Sequence, residues 1–197
     1  PIALIGGLSI KAAGDFEASM NKVQALTEAT GKEFSQLSAL SKHLGATTQF
    51  SASQASEAMG FMAMAGNDVN TIMSGMPSVL NLAAAAQMDM GRSADIVTNI
   101  MSGMQVSVED LPHTVDVLAK AFTSSNTNLE QLGQAMKFVG PVSSAFNQSL
   151  EETTAALGLL GTRGLQAGIA GRGFKTMLSQ LKINGKELGI SVNDASG

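Results

Sequence analysis

A chain of 197 residues with 44% apolar side chains has enough material for one core or two small ones, and the absence of cysteine excludes disulfides, thiolate catalysis and Cys-ligated zinc. Aromatic residues make up only 4%, with no Trp or Tyr, so the interior must be built from Ala, Leu, Met and Val, which suits close packing of helices. Charged residues are 14% against an average near 25%, which places much of the surface against other protein, and the net charge of −4 argues against a general nucleic-acid binder and against sequence-specific nucleic-acid contacts.

In chain order, residues 1–11 read as an N-terminal extension. The apolar patch at 2–10 is no signal peptide, because no charged segment precedes it and Lys11 follows directly. A chain that opens on Pro and stops at Ala-Ser-Gly reads as a fragment of a longer one. Residues 12–44 carry a helical period through Phe16, Met20 and Val23, then Phe34, Leu37, Leu40 and Leu44. They form one long helix or two joined at Gly31, with Gly45 as the stop. Ser51 with Gln54 is a capping box, opening a helix that ends at Gly66-Asn67 with Ala55, Ala58, Met59 and Met62 inward. Residues 70–88 are helical, with Pro77 forcing a break or a kink. Residues 69–88 are the longest uncharged run but hold Asn, Ser and Gln, which fits a buried helix better than a membrane span. A helix over 92–104 turns Ile96, Val97, Ile100, Met101 and Met104 inward. Ser107, Asn128 and Ser149 are cap signals of one type, 21 residues apart, each opening a helix. Val115, Leu118 and Phe122 form the face of the first; Leu129, Leu132, Met136 and Val139 form the second, which Gly140-Pro141 breaks. Nothing reads as a strand, although the short β-branched cluster at 190–192 is compatible with extended chain. The fold class is all-α, an array or bundle of short antiparallel helices over 12–183 with a linker at 184–197.

The array is organised around SLEETTAALGLLGTRGLQAGIAGRGFKTMLSQL (149–181). Leu150, Leu157, Leu160 and Gly161 share one helical face, and Ile169, Phe174, Met177, Leu178 and Leu181 follow in a second pattern. Gly158, Gly161, Gly164, Gly168, Gly171 and Gly173 lie between and within them. Each helical glycine lowers stability by up to ~1 kcal/mol relative to alanine. The return is close approach of backbones where no Cβ intervenes, so these six read as helix-packing positions in a helix–bend–helix. Other constellations carry less. Gly168 to Thr176 resembles a phosphate loop, but Phe174 separates Gly173 from Lys175 and a helical pattern precedes it. His43 and His113 lack the neighbouring ligands a metal site needs, and the adjacent acids at 109–110 and 151–152 suit first helical turns. No catalytic residue, cofactor or metal is assigned. Nine of the twelve methionines lie between Met59 and Met104. Core filling explains them, and a possible interaction face through Met59, Met62, Met73, Met76, Met101 and Met104 stays open. Gly161, Gly164, Gly168 and Gly171 also have the small-residue spacing of helices that meet in bilayers, against which Arg163 and Arg172 weigh. The stretch 163–186 holds Arg163, Arg172, Lys175, Lys182 and Lys186 with no acid.

LGATTQFSASQASEAMGFMAMAGND (44–68), LNLAAAAQMDMGRSADIV (80–97), VDVLAKAF (115–122) and the glycine-rich stretch at 149–181, taken in that order, resemble the core region of phage tail tape measure proteins, also called phage minor tail proteins. Two features depart from the pattern: Ser143 and Ser144 stand where Ala belongs, and Phe146-Asn147-Gln148 replaces a glycine-containing turn. The resemblance implies a long helical chain inside the growing tail tube whose length sets tail length. It implies several self-associating copies and contacts with the tail tube protein, tail assembly chaperones and baseplate hub. Such a chain resides in the virion tail, and in the bacterial cytoplasm during assembly. In the alternative reading the segment is a membrane-active helical module that helps deliver the genome across the host membrane.

Overall fold

The computed structural model describes residues 2–185, with side chains from residue 11 onward. Lys186 and the cluster at 190–192 lie outside the described residues. Among the described residues there is no strand, and nine α-helices follow one another: α1 (Ile2–Thr27), α2 (Gly31–Thr47), α3 (Ala52–Met64), α4 (Val69–Ala86), α5 (Met90–Met104), α6 (Leu111–Thr123), α7 (Leu129–Ala145), α8 (Leu150–Thr162) and α9 (Ala167–Asn184). A 3-10 turn, Val108–Asp110, precedes α6. The chain forms two compact units, Pro1–Asp95 and Ile96–Gly197.

In the first unit α3 packs against α1 and α2, and α4 packs against α3. Met20, Leu37, Met59, Met62, Ile72 and Met76 fill the interior. Thioethers also serve as acceptors there: the buried Ser41 hydroxyl donates to Met59 Sδ at 3.4 Å and reaches Met20 Sδ at 3.8 Å. In the second unit α9 lies along α7 and α8 along α6. Its interior holds Ile96, Val97, Leu118, Leu132, Met136 and Leu157. The inward face read for 92–104 is buried at all five positions.

One kind of junction recurs. A residue with φ between 51° and 88° (Glu28, Gly66, Gln87, Gln105, Asn147, Gly164) is followed by one residue and then the residue that opens the next helical segment. At five of the six, the residue after the left-handed one donates its N–H to the carbonyl five positions back, as Asn67 does to Met62 and Leu165 to Leu160. Asn147 therefore supplies the left-handed conformation expected of glycine; asparagine tolerates it better than other residues with a Cβ. The helix-opening residues Thr30 and Ser51, Asp68 and Asp89, and Ser107 and Asn128 are each 21 positions apart, but Ser51 to Asp68 is 17 and Asp89 to Ser107 is 18, so the interval of 21 recurs without being uniform.

Four boundaries differ from the sequence reading. The first helix starts at Ile2, and its break at Glu28 precedes the Thr30–Glu33 capping box, leaving Gly31 as merely the first residue of α2. Gly45 does not stop α2, which runs to Thr47; a Cβ at Gly45 would lie 2.4 Å from Ala52 N, so the glycine serves close approach of α3. Ser107 opens the 3-10 turn and α6 begins only at Leu111. A helix begun at Ser107 would put Pro112 in its second turn against the Val108 carbonyl, whereas a start at Leu111 puts it in the first turn, where proline is tolerated. Pro141 does not break α7, which continues to Ala145. Gly103 lies under the Pro141 ring and Gly140 lies against the Gly103 backbone, and this contact outweighs the missing N–H. Pro77 likewise sits inside an unbroken α4.

Candidate interaction surface

The helix–bend–helix at 149–184 is held at three points. Ser149 Oγ accepts the Glu152 N–H (3.1 Å), and Glu152 Oε2 accepts the Ser149 N–H (3.0 Å). Gly164, at φ +86°, turns the chain out of α8. Gln166 then ties the bend to the α6–α7 loop and to the first turn of α7: its Nε2 donates to the Asn126 carbonyl (2.7 Å) and its Oε1 accepts from Gln131 Nε2 (3.0 Å).

The six glycines separate by environment. A Cβ at Gly171 would stand 2.2 Å from the Ala135 carbonyl oxygen, within the α7 backbone. Gly161 faces the Asn126 carbonyl and Thr127 at 3.2 Å, and Gly158 faces Ser125 at 3.1 Å. Gly168 lies against Phe138 and Arg172 at 3.1 Å, while Gly164 and Gly173 face open space. The left-handed bend at Gly164 divides the small-residue series between two helices, and among the described residues no helix is long and apolar enough to cross a membrane. Gly168 to Thr176 lies wholly within α9, so its glycines form no loop.

Of the methionines weighed as an interaction face, Met59, Met62, Met76, Met101 and Met104 are buried and Met73 is half-buried. A different surface is open. Between α8 and α9 runs a groove of about 470 Å³ lined by Ala156, Leu159, Leu160, Leu165, Ile169 and Met177, among others, with Arg163 at the bend. Leu159 is 71%, Ile169 61% and Met177 50% exposed. The second apolar pattern, on α9, divides between two surroundings: Phe174 and Leu178 are buried, while Ile169 and Met177 are exposed along the groove. The available signal was the width of the apolar arc on α9, broader than one packing stripe.

The basic stretch is partly laid over rings, with Arg172 4.9 Å from the Phe138 centroid and Lys182 5.6 Å from that of Phe146. His113 Nε2 meets Glu151 Oε1 on the exposed side of α6 and α8. The Glu151 backbone N–H, then His113 and Ser149, hold this carboxyl below the usual carboxylate range. His43 is exposed, and among the described residues no group of three or more His, Asp or Glu side chains is placed to hold a metal ion.

Capped helices, glycine seams and a largely apolar groove are the parts of a protein that works by contact between helices. The profile of the phage-related minor tail protein family matches residues 38–197, and the chain belongs to that family. It is 34% identical over its whole length to the tape measure protein of Pneumococcus phage Dp-1, of which it covers 18%. It is 29% identical over 93% of its length to the probable tape measure protein of Escherichia phage P2, of which it covers 24%. The chain thus spans about a fifth to a quarter of the length of these relatives. No solved structure matches it.

Proposed function

We propose that this chain is a segment of a tape measure protein, acting in tail assembly and in setting tail length through protein–protein contacts. The observation that carries this reading is the alignment of the entire chain with the tape measure protein of phage Dp-1. The described helices support it physically: junctions with a left-handed residue join most of the successive helices, and the helix openings recur at intervals of 17 to 21 residues, so the chain is a run of short helices of similar length. Its partners are further copies of itself, the tail tube protein, tail assembly chaperones and the baseplate hub. It occupies the tube lumen in the virion and the bacterial cytoplasm during assembly. The test is in-frame deletion in the parent gene. Removing 21 residues, one cap interval, shortens the tail by at most ~32 Å if the measured state is helical, at 1.5 Å per residue, and removing several intervals shortens it in proportion. Tails of unchanged length by electron microscopy would sink the reading.

A further inference from the structure

We propose that the α8–α9 groove is occupied by the same groove of a second copy of this chain, as a two-fold symmetric dimer with a shared four-helix core. The proposal rests on the tape measure reading only for the presence of several copies; its geometry comes from the groove itself.

The side chains along α8 are self-complementary. Glu152, Ala156, Leu159 and Arg163 lie on one helical face with spacings of four, three and four, which read the same in both directions. When two α8 helices cross antiparallel, Arg163 therefore meets Glu152 of the partner subunit, and the large Leu159 meets Ala156 of the partner subunit. Ion pairs close both ends and a large side chain faces a small one at each inner position. On α9 the groove residues Ile169, Gly173 and Met177 are spaced four and four, again symmetric, with Gly173 at the centre. The midpoint of the α8 series and Gly173 both lie about two helical turns from the bend, so one two-fold axis serves both helices. Gly173 has nothing within 4 Å of the position a Cβ would take, so the fold of the single chain does not require a glycine there. Backbone approach across the axis would require it. Among the described residues Arg163 has no ion-pair partner.

Leu159, Leu165, Ile169 and Met177 are 46–71% exposed, apolar surface that the dimer removes from water. The ten lining residues a side are fewer than the ~20–30 of a standard interface, so association is weak, with a dissociation constant on the order of tens of micromolar.

Sedimentation equilibrium of the 197-residue chain from about 1 to 500 μM, bracketing that constant, tests the proposal. The expected result is a reversible monomer–dimer equilibrium. Gly173→Gln and Arg163→Glu should each weaken it by about tenfold or more, through steric block at the axis and like-charge contact with Glu152 of the partner subunit. Neither should change the far-UV circular dichroism. Glu152→Arg gives up the capping bond to the Ser149 N–H but leaves the Ser149 side chain capping α8; it should also dissociate the dimer, and mixing it with Arg163→Glu should restore association as a heterodimer. A chain that stays monomeric throughout, a dimer indifferent to Gly173→Gln, or no recovery on mixing would overturn the proposal. So would binding of the monomer to zwitterionic lipid vesicles that Leu159→Asp abolishes, since the groove's occupant would then be lipid. A monomeric chain whose parent gene still scales tail length with deletion removes the dimer and leaves the tape measure reading intact.

Discussion

Gly171 and Gly173 sit two residues apart on α9 and meet opposite surroundings. Gly171 is pressed to the α7 backbone, where a methyl group would come within 2.2 Å of the Ala135 oxygen; Gly173 faces open space. The contact at Gly171 cannot relax by rotating a side chain, because the obstacle is main chain. Gly171→Ala should therefore destabilise the protein by about 3 kcal/mol, the upper range for overpacking. Gly173→Ala should stabilise it by up to ~1 kcal/mol through helix propensity. Urea denaturation of the two variants measures both; equal shifts would show that close approach of α7 and α9 is not what Gly171 supplies. Ser143 shows the same sensitivity to place. It is fully buried with its hydroxyl unpartnered among the described residues, at a position where the family resemblance calls for alanine.

At the scale of elements, two cap signals that look alike differ in use. Ser149 makes both hydrogen bonds of a capping box, whereas Ser107 makes no capping bond and its hydroxyl meets the Glu109 carboxylate instead. Ser149→Ala should lower stability by about 1 kcal/mol, and Ser107→Ala by less than ~0.5 kcal/mol. Comparable losses in thermal or urea unfolding would refute this assignment of the caps. The difference comes from Pro112, which sits five residues past Ser107, where a continuous helix would clash. The proline signals that failed did so for a related reason. Pro141 reads locally as a breaker and Pro77 as a break or a kink, yet α7 runs on past Pro141 and α4 is not broken at Pro77. At Pro141 the packing of its ring over Gly103 is a tertiary contact that no window of sequence around 141 displays.

Across the whole molecule, carboxylates near helix starts recur in both units. Glu33 and Asp68 in the first, and Glu109 and Glu151 in the second, are held below the usual carboxylate range. The leading causes are hydrogen bonds to Thr30, Thr71, Ser107 and, for Glu151, its own backbone N–H. A carboxyl whose folded pKa is depressed stabilises the fold above its unfolded value, near 4, and that contribution is lost as pH falls through the folded pKa. Stability should hold from neutral pH to about 4.5 and decline below it. Unfolding midpoints across pH 7 to 3 test this; midpoints independent of pH below 4 would exclude the cap carboxylates as contributors.

The all-helical class, most of the inward faces and the caps at Ser51, Asn128 and Ser149 were legible in the sequence, because caps and periodicity are interactions among residues three or four apart. The family likeness was legible as well, carried by ordered blocks of such residues. Tertiary structure alone decided which glycines meet a backbone, whether a proline ends its helix, and that Ile169 and Met177 point into a groove instead of a core. Those outcomes depend on residues tens of positions away, as Gly171 depends on Ala135, and local patterning carries no information about a neighbour the chain reaches only by folding.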